Sequence, residues 1–339
     1  MRAPGTIERK ALVIGATGGI GRETAAALLA HGWQVRALHR VPDAARASSD
    51  LPAAIEWVAG DAMVMADIVA AAQGTRLIIH AANPPYYRNW RGLALPMLRN
   101  SIAAAGACGA RLVLPGNVYN YGPDAWPVVS EASPQHPTTR KGQVRVEMEQ
   151  LLAEAAGAGV RSLVVRAGDY FGPRQAASIF KSVMVRPGRP VRSVVYPGRR
   201  GAGHAWAFLP DLAETIARLA EREADLAPCE LFNFGGYFLA AGEEMAKSIA
   251  RVAGRPDMPI RPFPWFLFTL ASPFVGFARE MLEMRYLWQQ PLQLDNAKLV
   301  QFLGGEPHRP LDSAVRETLV ALGCLPDAAA TPAGAAHAA

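Results

Sequence analysis

Three glycines, Gly15, Gly18 and Gly21, recur three residues apart in "ALVIGATGGIGRETAAALLAHG". An apolar run of strand character precedes them and a helical pattern follows, the context in which such a triplet marks a dinucleotide-phosphate turn. Lacking Cβ atoms, these residues let the chain turn tightly, so that N–H groups at a helix N-terminus meet a pyrophosphate directly. Gly15, Thr17, Gly18, Gly19, Ile20 and Gly21 are the expected phosphate contacts. At the end of the next strand, an acid would hold the ribose 2′-hydroxyl of NAD, whereas arginine suits the 2′-phosphate of NADP. The segment "RALHR" puts His39 and Arg40 there, so NADP is expected, with NAD as the alternative. Further on, "AGDA" sets Asp61 and Ala62 where an adenine amino group is read. "HAAN" sets Ala81, Ala82 and Asn83 where small side chains admit the cofactor.

The elements that must position these residues alternate. "KALVIG", "QVRAL", "IEWVAG", "RLIIHAA", "RLVLPG" and "VRSLVVRAG" are short runs rich in Val, Ile and Leu, separated by helical patterns closed by glycine. This rhythm predicts an α/β fold with βαβ units, a doubly wound parallel (Rossmann-type) sheet that binds ligands at the carboxyl ends of its strands. The core is expected over residues 8–170, with 205–236 returning to the sheet. Residues 171–204 and 237–325 are expected to form a smaller, mostly helical substrate cap, and 326–339 a disordered tail.

With 339 residues, 50% of them hydrophobic, the chain can bury a large core. Its net charge of +6 comes from scattered arginines without an aromatic-interleaved stripe, so small phosphate-bearing ligands are favoured over nucleic acid. Three distant cysteines lack both disulfide and metal-ligand spacing. Neither a metal site nor a secretion signal is expected, and a cytoplasmic location is. The longest apolar stretch, Phe263 to Ala278, is too short to span a bilayer and is broken by Pro264 and Pro273. It reads as a buried or lid helix, with membrane-surface or homodimer contact as alternatives.

The motifs "GATGGIG", "GDA", "HAANPP", "NVYNYGP", "VVRAGDYFGP", "HAWAFLPDLA" and "FNFGG" follow one another in an order and spacing that resembles the extended short-chain dehydrogenase/reductases, the NAD-dependent epimerase/dehydratase group. The resemblance covers about residues 10 to 325. It implies NAD(P)-dependent oxidoreductase or epimerase chemistry on a carbonyl or sugar-like substrate, nucleotide sugars included. In that family a Ser or Thr after the fifth strand binds the substrate oxygen, a Tyr is the acid/base, and a Lys four residues later supports it. Matching "NVYNYGP" and "MEQLL" to the family pattern puts Asn117 at the serine, Lys141 at the tyrosine and Arg145 at the lysine.

Helical periodicity places Lys141 and Arg145 along the edge of the stripe formed by Val144, Met148, Leu151, Leu152 and Ala155, facing the cleft. Arg145 one turn away would favour a neutral Lys141 amine, an acid/base without tyrosine. Tyr121 and Tyr119 are substitute phenols, more readily read as packing or substrate-contact residues. Arg174, Arg192, Arg199, Arg200 and His204 lie where an anionic substrate would be held. The alternative to an enzyme is a catalytically silent NADP(H) sensor of the same fold.

Overall fold

The computed structural model describes residues 9–84, 89–175 and 178–326. The first half contains β1 (Lys10–Ile14), α1 (Gly19–Ala30), β2 (Gln34–His39), α2 (Pro42–Ser48), β3 (Glu56–Ala59), α3 (Met65–Ala72), β4 (Leu77–His80), α4 (Trp90–Cys108) and β5 (Arg111–Pro115). Then come β6 (Val128–Val129), α5 (Arg140–Gly157), β7 (Ser162–Arg166), β8 (Asp169–Phe171), β9 (Val194–Tyr196), β10 (His204–Phe208), α6 (Leu209–Glu221) and β11 (Cys229–Asn233). The chain closes with β12 (Tyr237–Leu239), α7 (Glu244–Val252), β13 (Ile260–Pro262), α8 (Trp265–Ala271), α9 (Gly276–Glu283), β14 (Gln293–Leu294), α10 (Ala297–Leu303) and α11 (Leu311–Ala321).

Seven strands form one sheet in the order β11-β7-β5-β4-β1-β2-β3, all parallel. Every residue of β4, β5 and β7 is buried, as befits strands covered by helices on both faces. Ala25, Leu28, Leu212 and Ile216 of α1 and α6 fill one face. Ile68, Leu98, Met148 and Leu152 of α3, α4 and α5 fill the other. Strand order reverses between β1 and β4, which opens a crevice at their carboxyl ends.

The predicted doubly wound sheet is present. Of the stretch expected to return to it, only β11 joins it, because β10 pairs instead with β8 and β12 in a three-stranded sheet. That small sheet carries a separate core in which Phe171, Phe180 and Trp206 meet Met245 and Ile249 of α7 and Val315 and Leu319 of α11. The stretch Phe263 to Ala278 is neither one helix nor buried. Pro273 lies in the link between α8 and α9, and Phe266, Leu270, Phe274 and Phe277 face solvent. Residues 327–339, most of the expected tail, lie outside the described residues, as do Pro85 of "HAANPP" and Ala176 and Ala177. Among the described residues no helix is long and apolar enough to cross a membrane.

Buried polar groups tie the two parts together. Arg166, the last residue of β7, donates from Nε and Nη2 to Glu149 of α5 at 3.0 and 2.5 Å, and from Nη1 to the Tyr121 hydroxyl. Tyr121 in turn donates to the Ser130 carbonyl at 3.1 Å.

His80, at the end of β4, pairs through Nδ1 with Ser101 Oγ at 2.8 Å. Because the Ser101 hydroxyl donates to the Met97 carbonyl, the imidazole must donate from Nδ1, leaving Nε2 bare. Burial, and secondarily the nearby Arg145 cation, push its pKa down to about 4. An unfolded-state histidine binds its proton near pH 6.5, so between pH 6.5 and about 4 the unfolded chain holds a proton that the native one lacks. This contribution is intact above pH 6.5 and is lost as pH falls, amounting to about 3 kcal/mol. His80→Leu should therefore weaken the acid sensitivity of urea unfolding by about that much between pH 7 and pH 4. Parallel stability curves for the two proteins would contradict this.

Candidate functional site

The first-glycine turn is set by lack of space. Gly15 has φ +93°, and a Cβ on it would lie 2.7 Å from the Ala81 carbonyl and the Ala82 nitrogen. A Cβ on Gly21 would lie 2.2 Å from the Gly15 carbonyl oxygen. β1, the start of α1 and the end of β4 thus approach one another at backbone distance. The turn is closed by a bond from the Gly18 N–H to the Gly15 carbonyl at 3.0 Å. Gly18, the N-cap of α1, offers no capping side chain, and no acid occupies the first turn. The first N–H groups of the helix are left for an anion. The residues present therefore fit a dinucleotide phosphate, which they would meet at the topological switch point.

Around this turn the other expected contacts fall in place along the carboxyl edge of the sheet. His39 ends β2, with its ring edge-on to Trp57, and Arg40 follows it, exposed. Asp61 lies just beyond β3, where its side chain accepts from the Met63 N–H at 2.9 Å. Asn100 donates to the Ala62 carbonyl at 3.0 Å, which fixes that loop to α4. Ala81 and Ala82 flank Gly15, and the Asn83 side-chain oxygen accepts from Trp90 at 2.6 Å. The loop at Gln175 passes over the start of α1, with its Cα 3.2 Å from where a Cβ on Gly19 would be. That crossing was not readable from sequence spacing. Beside it, Arg174 is engaged by Asp50 at 2.7 Å and Glu23 at 3.4 Å, so its charge is already balanced by protein carboxylates.

The candidate chemical groups follow β5. Asn117 accepts from the Tyr119 N–H at 3.0 Å through its side-chain oxygen, a turn that holds the loop. Gly142 packs under it, since a Cβ there would be 2.3 Å from the Tyr119 carbonyl. Thr139 caps α5, accepting from the Gly142 N–H at 3.0 Å. Arg145 reaches the Pro115 carbonyl at 3.5 Å, lies 5.2 Å from the Trp90 ring centroid, and faces His80. Arg145 and Asn117 are thereby brought to the same strand end.

Lys141 has different company. Its side chain is 3% exposed, and its amine meets the Glu280 carboxylate at 2.5 Å, the Glu280 carbonyl at 3.0 Å and the Glu283 carboxylate at 3.6 Å. Glu283 also accepts from the Lys141 backbone N–H at 3.0 Å. The charges nearest this amine are thus carboxylates of α9, opposite in sign to the cationic surroundings expected from Arg145. The reason is tertiary, because the helical row that aligns Lys141 with Arg145 says nothing of the cap helix laid against it. Glu280 and Glu283 had only a weak signal in sequence, two acids three apart after an apolar stretch.

Tyr121 is set apart from the other three. It is fully buried, held between Arg166 and Ser130, and burial drives its phenol up to about 12. Its place is in the packing beneath the loop rather than in the crevice. His204, expected among the anion-binding residues, is buried, paired with Asp169 at 2.7 Å and stacked on Trp288 at 3.8 Å. Arg192, Arg199 and Arg200 are exposed, and Arg200 pairs with Glu243 at 3.3 Å.

Comparison with known proteins agrees with this geometry. The chain is 27% identical to dTDP-6-deoxy-L-talose 4-dehydrogenase (NAD(P)(+)) of Kitasatospora kifunensis, over 96% of this chain and 99% of that one. In structure it is similar to a UDP-glucose 4-epimerase of Stenotrophomonas maltophila with bound NAD and formylated UDP-arabinopyranose, with a TM-score of 0.74 and 16% identity, covering 93% of this chain and 98% of that one. It is also similar to MoeE5 in complex with UDP-glucose and NAD, with a TM-score of 0.68 and 19% identity over 92% and 98% of the two chains. Residues 11–235 match the model of the NAD dependent epimerase/dehydratase family, and the chain, with its glycine turn at the switch point of a seven-stranded parallel sheet, belongs to that family.

Proposed function

We propose that this chain is an NADP-preferring oxidoreductase or epimerase of a nucleotide-linked sugar, with Lys141 as its proton-transfer group. The observation that carries the reading is the glycine turn at the switch point of the sheet, which leaves the uncapped N-terminus of α1 open to a dinucleotide phosphate. The relative named for a dTDP-sugar 4-dehydrogenase and the neighbours holding UDP-sugars support that substrate class.

The nicotinamide, when bound, supplies hydride exchange with the sugar carbon. The chain's own residues do the rest. The α1 N-terminus holds the phosphates, and Arg40 meets the 2′-phosphate. Arg145, at the lysine position of the family pattern, presents its cation to the nicotinamide ribose, and Asn117 orients the substrate oxygen. Lys141 gives a proton from Nζ to that oxygen on reduction and takes it back on oxidation, and Glu280 positions the amine. Two observations favour the second reading, a cofactor sensor without turnover. The Lys141 amine is spent on α9, and the Asn117 side-chain oxygen on the Tyr119 N–H.

Cofactor choice is tested by fluorescence titration. NADPH should bind more tightly than NADH, and Arg40→Asp should shrink or invert the difference. Equal dissociation constants in the unmutated protein would remove the assignment.

Gly18→Val tests the phosphate turn. A Cβ at this position would lie 3.3 Å from the Gly15 carbonyl oxygen, a tight contact that a small shift of the turn relieves, so the fold should survive while the side chain enters the path of the pyrophosphate. Dinucleotide binding should disappear, with thermal unfolding in the absence of cofactor little changed. Unchanged affinity in the folded variant would place the ligand elsewhere.

Lys141→Met tests the acid/base on dTDP- and UDP-sugars with NADP(H). Turnover should fall by roughly 10²- to 10⁴-fold while NADPH affinity is retained. Full activity in the variant would pass the role to Tyr119. Absence of turnover in the unmutated protein across these substrates, with tight NADPH binding, would establish the sensor.

A further inference from the structure

The α8–α9 hairpin presents apolar side chains that no described residue covers. Phe274 is 90% exposed and Leu270 71%, and Phe266, Leu267, Val275 and Phe277 are exposed beside them. No residue of α8 is buried, and in α9 only Ala278 is. A globular chain seldom leaves so contiguous a patch without use. Contacts at its base tie the patch to the fold. Phe263 lies 4.7 Å from Trp265 and 4.6 Å from Phe268, ring centroid to centroid, and Trp265 donates to the Pro197 carbonyl at 2.8 Å.

Charge says what covers it. From Pro262 to Ala278 there is no charged residue, and the segment is bracketed by Arg261 and Arg279, both exposed. Against the base of the hairpin lies a concavity of about 310 Å³ lined by Thr138, Arg140, Ser272, Arg279 and Glu283. It offers hydroxyls and two guanidiniums, and its one carboxylate is already taken by Lys141 and Arg140. An apolar aromatic tip with cations and hydroxyls at its shoulder matches the layers of a bilayer interface, with acyl chains beyond and phosphates level with the arginines.

A second copy fits less well. A two-fold contact through the tip would bring like shoulders together, Arg279 facing Arg279, while the neighbouring carboxylates are engaged within their own chain. At 7 and 8 residues, α8 and α9 are each far too short to span a bilayer, which leaves insertion into one leaflet.

We propose that the α8–α9 hairpin is a membrane-surface anchor, inserting Leu270, Phe274 and Phe277 among the acyl chains of an anionic bilayer and setting Arg279 against lipid phosphate. The test is flotation of the full chain with vesicles of phosphatidylcholine alone and of phosphatidylcholine with phosphatidylserine in a roughly 7:3 mixture. The unmutated protein should float with the mixed vesicles, less so as salt rises. The double change Leu270→Asp and Phe274→Asp, at exposed positions that leave the fold intact by circular dichroism, should lower partitioning roughly tenfold or more. Arg279→Glu should weaken binding to mixed vesicles and not to phosphatidylcholine alone. Three results would overturn the proposal. These are no flotation of the unmutated protein with either vesicle, equal flotation of the variants, or a dimer seen by light scattering that the double change dissociates, which would make a second copy the occupant.

Discussion

The site depends on a backbone contact that only glycine permits. The ends of β1 and β4 and the first turn of α1 meet where Cβ atoms on Gly15 and Gly21 would lie 2.7 and 2.2 Å from main-chain atoms. That closeness aims the uncapped N-terminus of α1 into the crevice where strand order reverses. A parallel sheet with helices on both faces can be built from many apolar sequences. A phosphate cradle at its switch point cannot, because any side chain at Gly15 or Gly21 would push α1 away from the strand ends.

The second constraint is electrostatic and links α5 to what surrounds it. Midway along the helix, Glu149 holds the buried Arg166 of β7, which also engages Tyr121. At its N-terminal end, Lys141 is held by Glu280 and Glu283 of α9. Removing one partner of a buried pair costs about 3–5 kcal/mol, much more than an exposed ion pair returns. α5 is therefore fixed in register against both sheet and cap, and with it Arg145, which lies between these two clamps at the end of β5.

What was legible in the sequence follows from what is local. The strand-turn-helix at Gly15–Gly21, the runs that became β1 to β5 and β7, and the basic end of β2 at His39 and Arg40 each depend on neighbours along the chain. Partners brought together only by folding were not legible. Helical spacing put Lys141 on the correct edge of α5 but could not show that α9 would supply its carboxylates. Tyr121 resembled a substitute phenol because its sequence neighbours belong to the β5 loop, and only burial against Arg166 shows it facing inward. The hydropathy of Phe263 to Ala278 pointed to burial. Pro273 and the shortness of the two resulting helices instead leave most of its apolar surface uncovered.

These features bear on the proposal that Lys141 stands at the family's tyrosine position. A phenol that donates and accepts a proton is helped by a neighbouring cation, which the core itself can supply from the next turn of the same helix. An ammonium group buried at that position instead needs negative charge, or its desolvation goes uncompensated. The first turn of α5 itself contains no acid. The carboxylates that meet Lys141 come from α9. α9 also carries Phe277 and Arg279, one turn or less from Glu280. The exposed tip and the carboxylates that hold Lys141 thus share one short helix.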